Sequence, residues 1–237
     1  MPGPRILDSI TVKSLAASLG ADLCGIASAA SFYGAPDGFK PADVYPDCRS
    51  VIVFACRIPP HSLDVDNRVL YSHASNAVFL EVDQIGLKLS KKLLDFGVSA
   101  IPVPCDSPYD YWEPERTYGR GTISMRHAGQ LAGLGVIGNN TLLVNEKYGN
   151  MICIGAVLTD AELEPDKAVA DKYCPPNCRL CIDSCPQKAL DGTTVDQLLC
   201  RKVSNITNAR GFDLFDCNVC RRVCPNRAGV KRNASMH

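Results

Sequence analysis

The 237-residue chain has no excess of either charge: Lys+Arg and Asp+Glu number 25 each. No overall field therefore recruits nucleic acid or an anionic membrane surface, and such a partner would need a local patch. Long apolar runs are missing too. The best of them, residues 51–56 and 151–158, fall far short of the ~18–20 residues that cross a bilayer. The N-terminus lacks a basic segment followed by an apolar one, so no secretory signal is expected and the chain reads as cytoplasmic, with no membrane partner. The first 170 residues show no internal repeat and no low-complexity tract. The 46% apolar and 21% charged fractions exclude a disordered chain, a coiled coil and a collagen-like repeat. At roughly 100–200 residues per domain, this length fits one or two domains with a core that needs no disulfides.

Cysteine, by contrast, is abundant. Of thirteen cysteines, eight (Cys174, Cys178, Cys181, Cys185, Cys200, Cys217, Cys220 and Cys224) fall within residues 174–224. A reducing compartment keeps thiols free, so such a block points to metal binding rather than a disulfide framework. Cys24, Cys48, Cys56, Cys105 and Cys153 are scattered and read as buried small hydrophobes.

Residues 1–170 read as a mixture of helices and strands. Periodicity predicts a helix over 7–19 and a longer one over 76–96, where Phe79, Val82, Ile85, Leu89 and Leu93 share a stripe. Residues 22–27, 50–57, 98–103 and 151–159 are predicted strands, and 124–132 a helix. Residues 104–122 carry the one tryptophan, Trp112, with Tyr109, Tyr111, Tyr118 and four acids. This segment is predicted to be a long loop, either a lid over a binding site or a strap fastened by its aromatic rings. From Ala161 the sequence turns polar, which places a domain boundary near residue 170. After Asp216 the tail holds Arg221, Arg222, Arg227, Lys231 and Arg232 and no acid, suiting either a solvated terminus or a partner contact.

Cys178-x2-Cys181-x3-Cys185-Pro186 and Cys217-x2-Cys220-x3-Cys224-Pro225 are two copies of the ending used by bacterial-type ferredoxins. Short spacers let neighbouring thiolates reach different irons of one cube, and the proline turns the chain so that the last cysteine serves the other cluster. This wiring implies one [4Fe–4S] cluster on Cys174, Cys178, Cys181 and Cys224, and a second on Cys200, Cys217, Cys220 and Cys185. Paired zinc knuckles would leave the third cysteine and proline of each copy unexplained. The first copy opens Cys174-Pro-Pro-Asn-Cys178, with three residues in the gap where ferredoxins have two. A bare two-cluster ferredoxin would leave the first 170 residues without a role, which favours a substrate or cofactor domain there.

The stretch LAGLGVIGNNTLLVNEKYGNMICIGAVLTDAELEPD (131–166), followed directly by the cysteine block, is similar to epoxyqueuosine reductases, as are DLCGIASA (22–29) and CRSVIVFA (48–55). The resemblance implies an α+β chain: a nitroreductase-like or cobalamin-processing-like α/β domain over 1–170, then a small ferredoxin-like domain with two [4Fe–4S] clusters over 171–237. It implies that the clusters reduce a corrinoid (cobalamin) between the domains, and it places the family's corrinoid-side segment at residues 69–79, where Tyr71 and Ala74 correspond. The family's proton-donating aspartate corresponds to Asp106 in Cys105-Asp106-Ser107-Pro108. The chain resembles a short form without the helical repeats of the tRNA enzymes, so tRNA is a less expected substrate.

Gly133-x-Gly135-x-x-Gly138 matches a dinucleotide fingerprint, but a predicted helix precedes it where the fingerprint needs a strand, so it reads as a helix end and tight turn. Tyr109, Asp110 and His127 join Asp106 as candidate acids. Arg116, Arg120 and Arg126 are candidates to hold phosphate or carboxylate groups of a cofactor. Two functions stay open. In one, the chain is a reductase whose clusters, fed by an external ferredoxin or flavodoxin, serve a corrinoid, an FMN or a small-molecule substrate. In the other, it is an electron-transfer protein or reductive activator docking on a partner protein.

Overall fold

The computed structural model describes residues 7–109 and 111–230. Helix α1 (Ser9–Ser18) is capped by Asp8, whose carboxylate accepts the Thr11 N–H at 2.7 Å. Then come β1 (Leu23–Ser28), the one-turn α2 (Pro41–Val44), β2 (Ser50–Arg57), α3 (Arg68–Leu94) and β3 (Ala100–Val103). A hairpin of β4 (Tyr111–Glu113) and β5 (Tyr118–Arg120) precedes α4 (Met125–Leu131), a second hairpin of β6 (Val136–Ile137) and β7 (Leu143–Val144), and β8 (Ile152–Thr159). The cysteine block contributes α5 (Leu180–Asp183), α6 (Gln197–Ser204), β9 (Asn205–Thr207), β10 (Asp213–Phe215) and α7 (Val219–Arg222).

The main sheet runs β1-β2-β8-β3, every pair antiparallel. Alternation along β2 sorts its side chains between two cores. Ile52, Phe54 and Cys56 meet Val12 and Ala16 of α1 and Val82, Ile85 and Leu89 of α3, while Val51, Val53 and Ala55 meet Ala128 and Ala132 near α4 and Leu134 beyond it. Both faces are covered, which is why β2 and β8 read as nearly unbroken apolar runs although the sheet is antiparallel. Each fully buried large side chain contributes ~1.5–3 kcal/mol relative to exposure. On β1, a Cβ at Gly25 would stand 2.1 Å from the Ala132 carbonyl oxygen, so the absence of a side chain there lets the end of α4 lie on the sheet.

A third, much smaller core gathers Cys181, Ile182 and Leu190, with Cys185, Val195, Cys220 and Val223 against it. The predicted strands appear within a residue or two of their expected bounds. Two expectations are corrected. Helix α3 begins at Arg68 rather than at residue 76, because its first two turns bury Tyr71, Ser72 and Ser75 instead of an aliphatic stripe. The expected loop 104–122 contains the β4–β5 hairpin, closed by a turn in which Thr117 takes φ +46°. Gly133, at φ +73°, follows the end of α4, so the glycine string terminates a helix, with no strand ahead of it. No helix of the described residues is long and apolar enough to cross a membrane.

Candidate functional site

The two cysteine motifs fold as short helices, α5 and α7, packed against each other. Cys174, Cys178, Cys181 and Cys224 line one cavity together with Pro175, Leu180, Pro225 and the turn residues Asn139 and Asn140. The electrostatic neighbours of Cys181 are Cys174, Cys224 and Cys178, so the last cysteine of the second motif stands with the first. Cys200 has Cys217 and Cys185 for neighbours, and Cys220 has Cys200, Cys217 and, with a smaller effect, Cys181. Cys224 of the second motif thus lies with the cysteines of the first, and Cys185 of the first lies beside Cys200. Among the described residues no group of three or more His, Cys, Asp or Glu is arranged to hold a metal ion. A cube spreads its four thiolates over four irons, which sets them wider apart than ligands of one ion.

The surroundings suit cluster sulfurs. Burial pushes the thiols of Cys181 and Cys220 up to about 11 and those of Cys200 and Cys224 upward, with neighbouring cysteines adding to the shift in each case. Without metal these groups stay neutral thiols, and they would ionise only on binding a cation. Backbone N–H groups of Asn139 and Ala189 donate to the sulfurs of Cys174 and Cys185 at 3.4 and 3.3 Å. The β6–β7 turn also grips the backbone of both motifs: Asn139 Nδ2 donates to the Cys178 carbonyl at 2.8 Å and Asn140 Nδ2 to that of Cys220 at 3.3 Å. Sequence reasoning passed over both asparagines; their one local signal was the Gly-Asn-Asn turn composition.

The 104–122 segment lies against the cysteine block. Gln197, on the same helix as Cys200, donates to the Gly119 carbonyl at 3.0 Å and accepts the Gly119 N–H at 3.1 Å. Tyr109 and Trp112 stack with ring centroids 6.1 Å apart, and the Arg201 guanidinium sits 5.4 and 5.2 Å from those centroids. Arg201 also donates to the Tyr109 hydroxyl at 3.4 Å. Arg201 was not a sequence candidate, although it directly follows Cys200. Asp106 stands at the end of β3, next to Cys105, whose N–H donates to Asp83 at 3.0 Å. Its side chain keeps contact with water, yet the protein crowds it on the remaining sides. Burial raises its carboxyl above the usual range and Asp83 adds to that, while Arg201 opposes it.

The other candidates are engaged elsewhere. His127 shares a 2.7 Å hydrogen bond with Ser124 at the start of α4, and burial and Arg126 lower its pKa. Arg126 donates to the Thr141 carbonyl at 2.6 Å and hydroxyl at 2.9 Å. Arg120 is caged by Phe39, Tyr111 and Tyr118, and Arg116 pairs with Glu113 at 3.1 Å over the Tyr118 ring. The three arginines do not converge on an open site. Asp110, Lys231 and Arg232 lie outside the described residues.

Against solved structures, the chain overlays an epoxyqueuosine reductase bound to an epoxyqueuosine-modified tRNA-Tyr stem loop with a TM-score of 0.61 at 17% identity, covering 94% of this chain and 66% of that one. An epoxyqueuosine reductase of Staphylococcus aureus is 28% identical over 224 residues, 83% of this chain and 55% of the relative. The chain is similar to epoxyqueuosine reductases. It spans about half the length of that relative. A B12-dependent reductive dehalogenase shares the fold at a TM-score of 0.69 and 21% identity, covering 91% of this chain and 31% of that one. No family model matches.

Part of α3 within residues 69–79, the segment that the resemblance sets beside a corrinoid, packs against β10, while Val69 and Leu70 stay exposed. Ser72 Oγ accepts the Phe215 N–H at 2.8 Å, the Phe79 and Phe215 rings meet edge-on at 5.8 Å, and Arg68 pairs with Asp216 at 3.2 Å. Beside them a cavity of about 460 Å³ is lined by Asn67, Arg68, Tyr71, Asp216, Asn218 and Arg222. This direct packing and polar lining do not fit the flat face of a corrin ring.

Proposed function

We propose that this chain is a cytoplasmic iron–sulfur reductase of epoxyqueuosine reductase-like chemistry. A ferredoxin-like unit over 171–237 holds one [4Fe–4S] cluster on Cys174, Cys178, Cys181 and Cys224 and another on Cys185, Cys200, Cys217 and Cys220. When bound, such clusters supply single electrons, delivered by an external ferredoxin or flavodoxin. The reading is supported by the grouping of Cys224 with Cys174, Cys178 and Cys181 and of Cys185 with Cys200 and Cys217, beside a segment in which burial raises the pKa of the Asp106 carboxyl.

The N-terminal unit over 1–170 provides the acceptor's side. Asp106 keeps its proton above the ordinary carboxylate range, which suits a donor to a bond that gains negative charge on reduction. Arg201 and Gln197 hold the Tyr109–Trp112 strap beside α6. Tyr109, hydrogen-bonded to Arg201, is the alternative acid. His127, tied to Ser124, ranks behind both.

Anaerobically purified chain should contain about eight iron and eight sulfide, as two cubes require. Four iron, or stoichiometric zinc, overturns the reading. Its visible and mass spectra will register any corrinoid or FMN, and loss of epoxyqueuosine from a modified stem loop under a reduced donor tests the substrate class. The closed contact between α3 and β10 favours a second reading, in which the chain passes electrons to a partner protein. Reducible clusters with no bound cofactor and no turnover would select it.

A further inference from the structure

Asn150 precedes β8 and is 1% exposed, yet neither its Nδ2 nor its Oδ1 completes a hydrogen bond among the described residues. A buried amide without partners is costly and calls for an explanation. Its backbone is clamped: the Asn150 carbonyl accepts from Arg221 of α7, and the preceding Gly149 exchanges both backbone hydrogen bonds with Asn145 at 2.8 and 2.9 Å. Residues 149 and 150 lie against the stretch that carries Cys224: Arg221 holds the Asn150 carbonyl, Gly149 packs on Asn226 and Arg227, and the Asn150 amide reaches the Cys224 side chain. A thiol is a weak acceptor, whereas a metal-bound thiolate is a good one, so the missing partner is one that exists only with the cluster in place.

Building on the two-cluster reading, we propose that Asn150 Nδ2 donates a hydrogen bond to the Cys224 sulfur and thereby raises the reduction potential of the cluster shared with Cys174, Cys178 and Cys181. A donor to a ligand sulfur stabilises the reduced cluster, which carries one more negative charge, more than the oxidised one. The sulfurs of Cys174 and Cys185 take such bonds from backbone N–H groups, which substitution leaves in place. Asn150 is a side-chain donor to a cluster sulfur, so its contribution can be removed by substitution. Asn150 is a positioning residue acting through Cys224, and its effect should be confined to one cluster.

The test is an EPR-monitored redox titration of the full chain, purified anaerobically, as wild type and as Asn150→Leu, which keeps the volume and removes the donor. One of the two midpoints should fall while the other stays. Two unchanged midpoints, or a rise, overturn the proposal. Should Asn150→Leu fail to assemble both clusters, pulsed EPR on reduced wild type carrying asparagine labelled with nitrogen-15 only at the side chain decides instead. A hyperfine coupling to a labelled nitrogen is expected, and its absence overturns the proposal. Wild type with no reducible cluster is a different failure, removing the two-cluster reading and this proposal together.

Discussion

Arg201 is the cation on which the aromatic strap rests, and R201Q removes it without disturbing the backbone that carries Cys200. Its guanidinium lies 5.4 Å from the Tyr109 ring and 5.2 Å from the Trp112 ring, and each such contact at a partly exposed site contributes ~0.5–1 kcal/mol. The 3.4 Å contact to the Tyr109 hydroxyl is long and adds little, and the paired bonds of Gln197 to Gly119 remain. The strap should therefore lose about 1–2 kcal/mol of docking, roughly a 5–30-fold rise in its open population. Trp112 is the single tryptophan of the chain, so acrylamide quenching of its fluorescence reads this opening directly. Quenching should steepen in R201Q while the far-UV spectrum is unchanged. A quenching constant equal to that of wild type would refute the docking role. The same substitution removes the cation that opposes the burial of Asp106, so the pH at which turnover falls by half should move upward.

Cys185→Ser should cost the cluster that depends on Cys200, Cys217 and Cys220, and Cys224→Ser the other, each leaving about four iron; iron loss confined to the substituted cysteine's own motif would refute the exchanged wiring. Asp106→Asn should remove turnover with the clusters intact, and full activity would transfer the proton to Tyr109. In wild type, turnover should decline as pH rises through the raised Asp106 value, because the donor is then ionised. The associated stability term has the same sign: it is complete below the ordinary carboxylate value and disappears as pH rises through the folded-state one, measurable as a falling urea midpoint. G25A places a Cβ 2.1 Å from the Ala132 carbonyl and should destabilise by about 1–3 kcal/mol in urea unfolding; an unshifted midpoint would show that α4 can withdraw from the sheet.

The main strands were legible because β2 and β8 are buried on both faces, and the two cysteine motifs could be located, though not their ligand sets, from the Cys-x2-Cys-x3-Cys-Pro spacing. The start of α3 was not, since Ser72 and Ser75 occupy its buried side and break the aliphatic stripe. The β4–β5 hairpin was hidden for another reason. Its turn, Pro114-Glu115-Arg116-Thr117, places a β-branched residue at positive φ where glycine or asparagine would have announced it. Arg201 and Asn139 act through contacts 92 and 39 residues away in sequence, and Asn150 through an amide whose burial no local pattern encodes.

The disparity between the three cores bears on how this protein matures. Two of them are built on the main sheet from long sets of buried side chains, whereas the third has Cys181, Ile182 and Leu190 alone as fully buried members. So small a core cannot offset the chain entropy of the ~50 residues around it. On the two-cluster reading, ordering of the cysteine block would be coupled to metal insertion, in the manner of small metal-stapled domains. Newly made chain would then present a finished sheet with a thiol-rich block not yet ordered by metal, held by the Asn139–Asn140 turn, the Gln197–Gly119 pair and the contact of α3 with β10. Oxygen damage would return it to that state, making cofactor loss a local melting event that the rest of the molecule survives.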